Sequence, residues 1–315
     1  MDINFSKVRV TENLKDANCI THSGTFHADE IFATLILSII KEDIVVYRTS
    51  EVDDKMRETN CIIYDVGRGE LDHHQKGGNG QRENGIMYAA CGLVWKKYHK
   101  EVFEKLGIDS KDWDYLYSQI DKNLIQFIDA NDNGKTPALD VDYKFVTIAS
   151  IVASFNPRWD EDMSISNDRF IKAMDVCRKV LENEILSQVS KLKAKDKVEK
   201  AIEESENHIL ILEEYMPWQD FVLSSESDKA KDLWYAIYPS KRGGYALHCV
   251  NVKQGSFENR KSLPKEWSGL ENEKLQEVTG VADARFCHTA RFLATTDTYE
   301  AAIKLAELAV NNRGE

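Results

Sequence analysis

The sequence predicts an α/β protein whose N-terminal domain carries a mainly parallel sheet, followed by a smaller α+β domain. Between residue 17 and about residue 155, short β-rich runs alternate with helical patterns, as a parallel sheet with covering helices requires. Windows rich in histidine and aspartate begin where two of these runs end. That position is typical of a site at the carboxyl edge of an open α/β sheet.

Each element of the N-terminal domain rests on a local pattern. Residues 17–21 form a short apolar run that ends at His22, and residues 29–41 are apolar almost all round, which indicates a buried helix. The segment 129–134 is rich in helix-breaking residues and is expected to end the helix before it. The other strands are expected at 44–48 and 61–64, and the other helices at about 87–105, 112–128 and 143–155.

Residues 167–205 show helical spacing without proline or glycine, so a long helix is expected to connect the two domains. The domain boundaries follow as 1–160 for the first domain, 161–207 for the connecting helical segment and 208–315 for the second domain. The elements of the second domain are expected at 209–213, 233–238, 245–252 and 285–288 for strands, and at 271–277 and 298–311 for helices.

The bulk composition is typical of a folded intracellular protein. With 315 residues, 42% hydrophobic and 30% charged, the chain is long enough for two packed domains. It has no apolar run near the roughly 18 residues that a membrane span needs, and its first twenty residues do not resemble a targeting peptide. The six cysteines lack a CxxC pair, so reduced thiols are expected. We expect a cytoplasmic protein without a membrane partner, or a nuclear one in a eukaryote.

Four of the eight histidines lie with aspartates in two short windows. The first window is residues 22–30, with His22, His27 and Asp29. The second is residues 64–74, with Asp65, Asp72, His73 and His74. Imidazole and carboxylate groups without thiolates form a ligand set for divalent ions such as Mn²⁺. Six or more such groups exceed the needs of one ion and suit a two-metal site that acts on phosphates.

Each window alone has a plainer interpretation. A single pair of histidines is usually structural or solvated, Glu30 at a helix start suits the helix dipole, and Asp129 with Asp132 would be polar residues at a helix end. Their joint occurrence after β-rich runs favours a metal site, because the carboxyl ends of parallel strands share one edge of the sheet.

Two further segments have a composition that suits substrate contacts. Residues 76–85 contain four glycines and are expected to form a mobile flap beside the second window, ordered by substrate. Residues 256–260 and 285–292 interleave arginine with aromatic residues, which suits phosphate recognition and base stacking. A surface strand with buried phenylalanines is the alternative interpretation of the second of these segments.

These motifs together resemble the melanocyte proliferating gene one (Myg) family of metal-dependent hydrolases, which are relatives of the DHH phosphoesterases. The resemblance spans nearly the whole chain: THSGTFHADE at 21–30, YDVG at 64–67, DHHQ at 72–75, IDANDNG at 128–134, SFENRKSLP at 256–264 and FCH with RF at 286–292. It implies a DHH-type catalytic domain, a smaller C-terminal substrate-binding domain, and phosphodiester cleavage with Mn²⁺ or Mg²⁺. The implied activity is that of a 3′–5′ exonuclease on RNA or short oligonucleotides.

The resemblance also implies roles for individual residues. One ion would be bound by His22 and His27, with Asp65 as the bridge to a second ion. That second ion would be bound by Asp29, His73 and Asp129. Catalysis would involve Asp65, with Asp72 supporting the site and His74 facing the scissile phosphate. His27 departs from the aspartate usual in DHH relatives, and substrate would be bound by Arg260, His288 and Arg291.

Two other functions fit the same residues. A small-molecule phosphohydrolase would act on pyrophosphate, phosphoadenosine phosphate or a cyclic dinucleotide, and a non-enzymatic partner protein would bind metal without catalysis. The net charge of −12 argues against a protein that coats duplex nucleic acid, yet it is compatible with a short strand in a local cationic cleft.

Overall fold

The protein is described by a computed structural model that covers residues 2–135 and 142–312. Within it the chain separates into two compact units, Met1–Val189 and Ser190–Glu315. The boundary falls inside one long helix, so the connecting helix belongs in part to each unit. Within the described residues, no helix combines the length and the apolar character needed to cross a membrane.

The first unit contains a four-stranded sheet in which every neighbouring pair is parallel, as the sequence predicted. The strand order is β1-β3-β2-β4. The strands are β1 Val8–Thr11, β2 Cys19–His22, β3 Ile44–Thr49 and β4 Ile62–Ile63. Strand β1 was not predicted, because this four-residue edge strand begins before the recognised pattern and leaves its side chains half-exposed.

Helix α1, Ala28–Ile40, follows β2 and is buried along nearly its whole length, as predicted. Its start is fixed by a capping box, in which the backbone N–H of His27 donates to the Glu30 carboxylate at 3.0 Å. The remaining helices of this part are α2 Asp54–Arg57, α3 Ala90–Lys105, α4 Trp113–Ile120, α5 Gln126–Asp132 and α6 Ile148–Ala153. Helix α3 packs along α1 and forms much of the core beside the sheet.

Two helix ends differ from the expectation. A π-helical segment, Asp121–Ile125, joins α4 to α5 into one continuous helical run that reaches Asp132. Asp129 therefore lies inside the last turn of a helix and not beyond its end, because the breaker that stops the helix is Gly134 in the left-handed region (φ 71°). The helix expected at 143–155 is shorter, since α6 begins only at the capping residue Thr147.

Helix α7, Ser166–Glu203, is the long helix predicted between the domains. In the first unit it buries Phe170, whose ring packs edge-on against Phe26 with centroids 5.6 Å apart. Its buried stripe continues through Cys177, Leu181 and Ile185.

The second unit contains a mixed five-stranded sheet of order β5-β6-β7-β9-β8, in which only the β5–β6 pair is parallel. An α+β domain was predicted here and is confirmed. The strands are β5 Ile209–Ile211, β6 Tyr235–Pro239, β7 Tyr245–Cys249, β8 Ala284–Cys287 and β9 Leu293–Thr296; the helices are α8 Gln219–Ser224, α9 Asp228–Asp232, α10 Asn272–Thr279 and α11 Tyr299–Asn311. Strand β9 and helices α8 and α9 escaped the sequence analysis because each is only four to six residues long.

The sheet of the second unit is fixed by a close backbone approach at Gly244. A Cβ at this position would lie 2.0 Å from the Thr296 carbonyl oxygen of β9. The residue also has φ 67°, which a side chain disfavours. Gly244 lies in the β6–β7 hairpin, where its carbonyl accepts a hydrogen bond from Ser240 N–H at 2.8 Å.

Gly244→Ala is therefore expected to destabilise the second unit more than Gly243→Ala. Gly243 has φ 88°, and a Cβ added there would meet no atom within 4 Å. Alanine at this position should therefore lower the free energy of unfolding only by the cost of a left-handed backbone conformation, about 1–2 kcal/mol. Urea unfolding followed by circular dichroism would compare the two midpoints. Equal midpoints would mean that the contact with Thr296 does not limit this hairpin.

Candidate metal centre

The histidine and aspartate windows meet at the carboxyl edge of the parallel sheet. His22 is the last residue of β2, and Asp65 follows the end of β4 after one residue. Because β2 and β4 are hydrogen-bonded neighbours, their ends bring the two windows together. The start of α1 adds His27 and Asp29 to the same edge.

Asp65 occupies the centre of this arrangement. Its Oδ2 lies 3.3 Å from His22 Nε2, and its Oδ1 lies 3.6 Å from His73 Nδ1 and 3.5 Å from His74 Nδ1. The side chain is buried, and the backbone takes the left-handed conformation with φ 57°. Such strain in a residue with a side chain is characteristic of functional sites. Asp65 thus presents one oxygen to each histidine window.

One side of Asp65 is formed by His22, His27 and Glu30, whose ligand atoms lie within 4.8 Å of one another. Glu30 Oε1 lies 2.8 Å from His22 Nε2. Although burial opposes the charged ring, Asp65 and Glu30 together raise the pKa of His22 to about 11. The carboxylates around this imidazole therefore favour positive charge strongly.

The other side is formed by Asp29, His73 and Asp132, which also bring their ligand atoms within 4.8 Å. His73 Nε2 lies 3.0 Å from Asp132 Oδ2. Asp29 accepts from the α3 backbone N–H groups of Ala90 at 2.9 Å and Cys91 at 2.7 Å. Burial, with the negative charges of Asp65 and Asp132, raises the pKa of Asp29.

Asp129 is held differently from the residues around it. Its Oδ1 accepts from Gly92 N–H at 2.9 Å, and its Oδ2 accepts from Arg82 Nη2 at 2.7 Å. Gly92 admits this contact because a Cβ there would lie 1.9 Å from Asp129 Oδ2. The carboxylate group of Asp129 approaches Asp29 and Cys91. Burial raises the pKa of the Cys91 thiol, which therefore stays protonated.

Arg82 balances two buried carboxylates at once. Its Nε and Nη2 donate to Asp121 at 2.8 and 2.6 Å, in the bidentate geometry that suits a guanidinium, while Nη2 also reaches Asp129. Asp121 lies in the π-helical segment before α5. Arg82 thereby links the glycine-rich segment 76–85 to the helix that carries the acidic residues. No sequence pattern indicates this role, since it depends on a contact across 39 positions.

Asp72 shapes the backbone of the second window. It accepts from the backbone N–H groups of Arg68 at 2.5 Å and His74 at 3.0 Å, and from His74 Nδ1 at 2.9 Å. Although burial opposes it, these donors lower the pKa of Asp72. The His74 side chain is 57% exposed and faces an open cleft. Asp72 is therefore placed to orient His74, and its supporting role in catalysis stays a prediction.

Two buried atoms at the centre have no hydrogen-bond partner among the described residues: Asp65 Oδ1 and His73 Nδ1. They lie 3.6 Å apart. A carboxylate oxygen and an imidazole nitrogen left unpaired in a buried place are costly unless a ligand completes them. Both are ligand atoms for a divalent cation, so the residues present fit such an ion.

Two clefts open beside these residues. One, of about 660 Å³, is lined by His22, His27, Asp65 and His74, and the other, of about 880 Å³, by His73, His74 and Asp132. Arg68 lines both clefts. Its exposed guanidinium has no hydrogen-bond or ion-pair partner within the part of the chain that the structure describes. Arg68 was not among the predicted site residues, because a single arginine in a turn carries no recognisable pattern.

The three residues predicted to bind substrate all lie in the second unit, where each is already hydrogen-bonded. Arg260 Nη1 donates to the carbonyls of Ala230, Lys231 and Leu233, at the end of α9. Arg291, with φ 58°, donates from Nη1 to Leu263 O at 3.1 Å. His288 Nδ1 accepts from Ala290 N–H at 3.0 Å. Their role in binding substrate stays a prediction.

The fold and the site define a two-unit α/β protein with a carboxylate-and-imidazole centre at the edge of a parallel sheet. A sequence model described as an uncharacterised protein family (UPF0160), the MYG1 family, matches residues 18–310. The chain belongs to this family, which confirms the resemblance drawn from its motifs.

The similarity to its relatives covers most of their lengths. The MYG1 protein YER156C of Saccharomyces cerevisiae is 28% identical, with 96% of this chain and 98% of the relative covered. A protein of Homo sapiens named MYG1 exonuclease is 26% identical over 93% of this chain and 85% of its own length. Among solved structures, RecJ of Thermus thermophilus in complex with Mg²⁺ is 10% identical with a TM-score of 0.28, and the chain spans about half of its length. That last likeness is too weak to carry an argument.

Arg82→Met is expected to destabilise the first unit by about 3–5 kcal/mol, because it leaves buried carboxylates without their cation. The exposed pair of Arg9 and Asp43, 3.1 Å apart, offers a matched control, and Arg9→Met should cost less than about 1 kcal/mol. Urea unfolding measures both changes. Adding Asp121→Asn to Arg82→Met should recover part of the loss. An Arg82→Met protein as stable as Arg9→Met would show that the carboxylates need no partner.

Proposed function

We propose that this protein is a divalent-metal-dependent phosphodiesterase that acts as a 3′–5′ exonuclease on RNA or short oligonucleotides, with two ions of Mn²⁺ or Mg²⁺. The observation that carries the proposal is the unpaired, buried Asp65 Oδ1 beside His73 Nδ1, with a ligand group on each side. Ligand groups on both sides of one carboxylate support a pair of ions more than a single ion.

The distances support a specific set of ligands. His22 and His27 would bind one ion, Asp29 and His73 the other, and Asp65 would lie between them. For the remaining position the geometry favours Asp132 over Asp129, which the resemblance implies. Asp129 already pairs with the Arg82 guanidinium, which supplies the positive charge that a metal ion would otherwise bring, whereas Asp132 faces His73 directly. We propose that Asp129 anchors Arg82 and that Asp132 is the ligand.

The protein groups around the ions have distinct tasks. The bound ions would supply Lewis-acid polarisation of the scissile phosphate. Glu30 holds the ring of His22 in place, and Asp72 holds His74. The exposed His74 ring would face the phosphate, and Arg68 would pair with a phosphate oxygen at the mouth of the clefts.

The names of several relatives support the nuclease class over the other candidates. The human, rat, bovine and mouse relatives are each named MYG1 exonuclease. Cleavage of RNA and the 3′–5′ direction rest on the resemblance of the motifs. A small-molecule phosphohydrolase and a non-enzymatic metal-binding protein are therefore outcomes against which the proposal is tested.

The ligand set predicts how metal content responds to substitution. Asp65→Ala and His73→Ala should each lower the bound metal and abolish activity, since each removes a central ligand. Asp132→Asn should do the same, while Asp129→Asn should retain metal more fully and lose stability instead. Elemental analysis of the purified variants, with circular dichroism as the folding control, measures these outcomes. Unchanged metal in both Asp65→Ala and His73→Ala would refute the assignment.

A substrate panel tests the reaction itself. With Mn²⁺ the protein should shorten 5′-labelled single-stranded RNA one nucleotide at a time, and EDTA should abolish this. Mn²⁺ should restore the activity better than Zn²⁺, given a ligand set without thiolates. Pyrophosphate, phosphoadenosine phosphate and a cyclic dinucleotide complete the panel. Faster cleavage of any of these would favour the small-molecule phosphohydrolase, and no cleavage at all would favour the metal-binding partner protein.

Arg68→Gln is expected to raise KM for the RNA substrate by about 10- to 150-fold with full metal content, as the loss of one charged hydrogen bond of about 1.5–3 kcal/mol predicts. Arg68→Lys should recover part of the loss, because it keeps the charge without the bidentate geometry. Arg9→Gln, a surface arginine of the same unit, should leave KM unchanged. Steady-state kinetics would contradict the role of Arg68 if Arg68→Gln and Arg9→Gln had the same KM.

A further inference from the structure

The five-stranded sheet of the second unit has two unlike faces. On one face, buried side chains of the strands pack with α10 and α11 into a continuous apolar core. On the other face, the strand register aligns one residue from each of four strands into a row. That row consists of Tyr238, Ala246, Thr295 and Phe286. It lies along a cleft of about 500 Å³.

The cleft is cationic. Lys241 and Arg242 reach it from the β6–β7 hairpin, and Arg285 reaches it from the edge strand β8. Among the described residues that line it there is no aspartate or glutamate. Arg285 Nε lies 3.4 Å from the exposed Asp297 outside the lining, while the Arg242 guanidinium has no such partner in the described part of the chain. In a chain of net charge −12, this is a local reversal of sign.

The backbone holds these cations in defined positions. The hairpin is closed by hydrogen bonds from Ser240 N–H to Gly244 O at 2.8 Å and from Gly243 N–H to Ser240 O at 3.0 Å. On β8, the register with β9 shifts between Ala284 and Phe286, and such an irregularity re-aims the side chain beside it. Arg285 is the residue at that shift. The three cationic side chains therefore extend from backbone that hydrogen bonds and strand pairing hold in place.

Aromatic rings stand beside the cations. Tyr215 is 46% exposed, and its ring packs against Tyr238 with centroids 5.4 Å apart. The Lys241 ammonium lies 4.7 Å from the centroid of the Tyr215 ring. Exposed aromatic faces stack nucleic-acid bases, and adjacent cations neutralise phosphates, without reading sequence. An acidic peptide would use the cations but leave the rings without a function.

We propose that this cleft binds a segment of single-stranded nucleic acid, with phosphates at Lys241, Arg242 and Arg285 and a base against Tyr215. The cleft lies at the end of β7 that adjoins the β6–β7 hairpin. His288 and Arg291 belong to the turn between β8 and β9. That turn lies beside the opposite end of β7, where Cys249 N–H donates to Phe292 O. The cleft is thus a second nucleic-acid contact within this unit. The choice of nucleic acid as ligand rests on the proposed function, and the site itself does not.

Binding can be measured apart from cleavage. Fluorescence anisotropy would follow a labelled single strand of RNA of about 12 nucleotides, a usual site size for such surfaces, on the full-length chain in EDTA. Lys241→Gln with Arg242→Gln should raise Kd about tenfold at low salt and reduce the slope of log K against log salt by about 1.4, the value for two lost phosphate contacts. The control, Lys265→Gln with Lys274→Gln, changes the net charge equally outside the cleft and should bind as the wild type does.

A third variant separates stacking from charge. Tyr215→Leu keeps an apolar side chain but removes the ring, so it should raise Kd while leaving the salt slope unchanged. A double variant of Lys241 and Arg242 that binds like its control would overturn the proposal. So would displacement of the RNA by polyglutamate as effectively as by unlabelled RNA, because that result would mark a general anion site. If the wild type cleaves RNA but the double variant binds RNA as tightly as the wild type does, only the proposal of this binding cleft is refuted. If the double variant binds RNA more weakly but the wild type cleaves no substrate, the proposed phosphodiesterase activity is refuted instead.

Discussion

The accumulation of negative charge at one edge of the parallel sheet is the constraint on which the rest of the first unit depends. Asp29, Asp65, Asp129 and Asp132 are brought together there, and the first three are buried. Burial, together with the repulsion between carboxylates this close, raises the pKa of Asp29. The fold holds them together only because cations or backbone N–H groups face each one.

The groups that balance the negative charge differ from one carboxylate to the next. This difference indicates which carboxylates have a structural role and which could bind an ion. Asp29 is held by the N–H groups at the start of α3, and Asp129 by Arg82 and Gly92. Asp65 has one oxygen without a hydrogen-bond partner among the described residues. Asp129, which pairs with a cation of the protein, is a support, whereas Asp65, with one oxygen left unpaired among the described residues, marks where an added cation would be most stabilising. This difference separates Asp129 from the proposed ligand Asp65, although both are buried aspartates.

In the second unit, the two faces of one sheet carry different tasks. The face covered by α10 and α11 supplies the apolar core that gives this unit its stability. The opposite face is free to carry a row of aromatic and small residues with cations along its rim. Strand alternation separates these tasks, since neighbouring residues point to opposite faces and can be specialised independently.

The sequence by itself determined the fold class, the parallel sheet, the long helix α7 and the two windows of histidine and aspartate. These depend on local periodicity and on the rule that parallel strands end at one edge, so they need no knowledge of distant contacts. Strands β1 and β9 and helices α8 and α9 were not predicted, because segments of four to six residues are too short to show a clear periodicity.

Only the tertiary structure decided what each residue of the windows contacts. That Arg82 pairs with Asp121 and Asp129, and that Asp132 faces His73, depends on side chains from separate elements meeting in space. The same holds for the cationic cleft, whose arginines and lysine come from a hairpin and an edge strand more than forty residues apart along the chain. Contacts of this kind leave no local pattern, since they depend on how helices and strands pack and not on the residues that flank them.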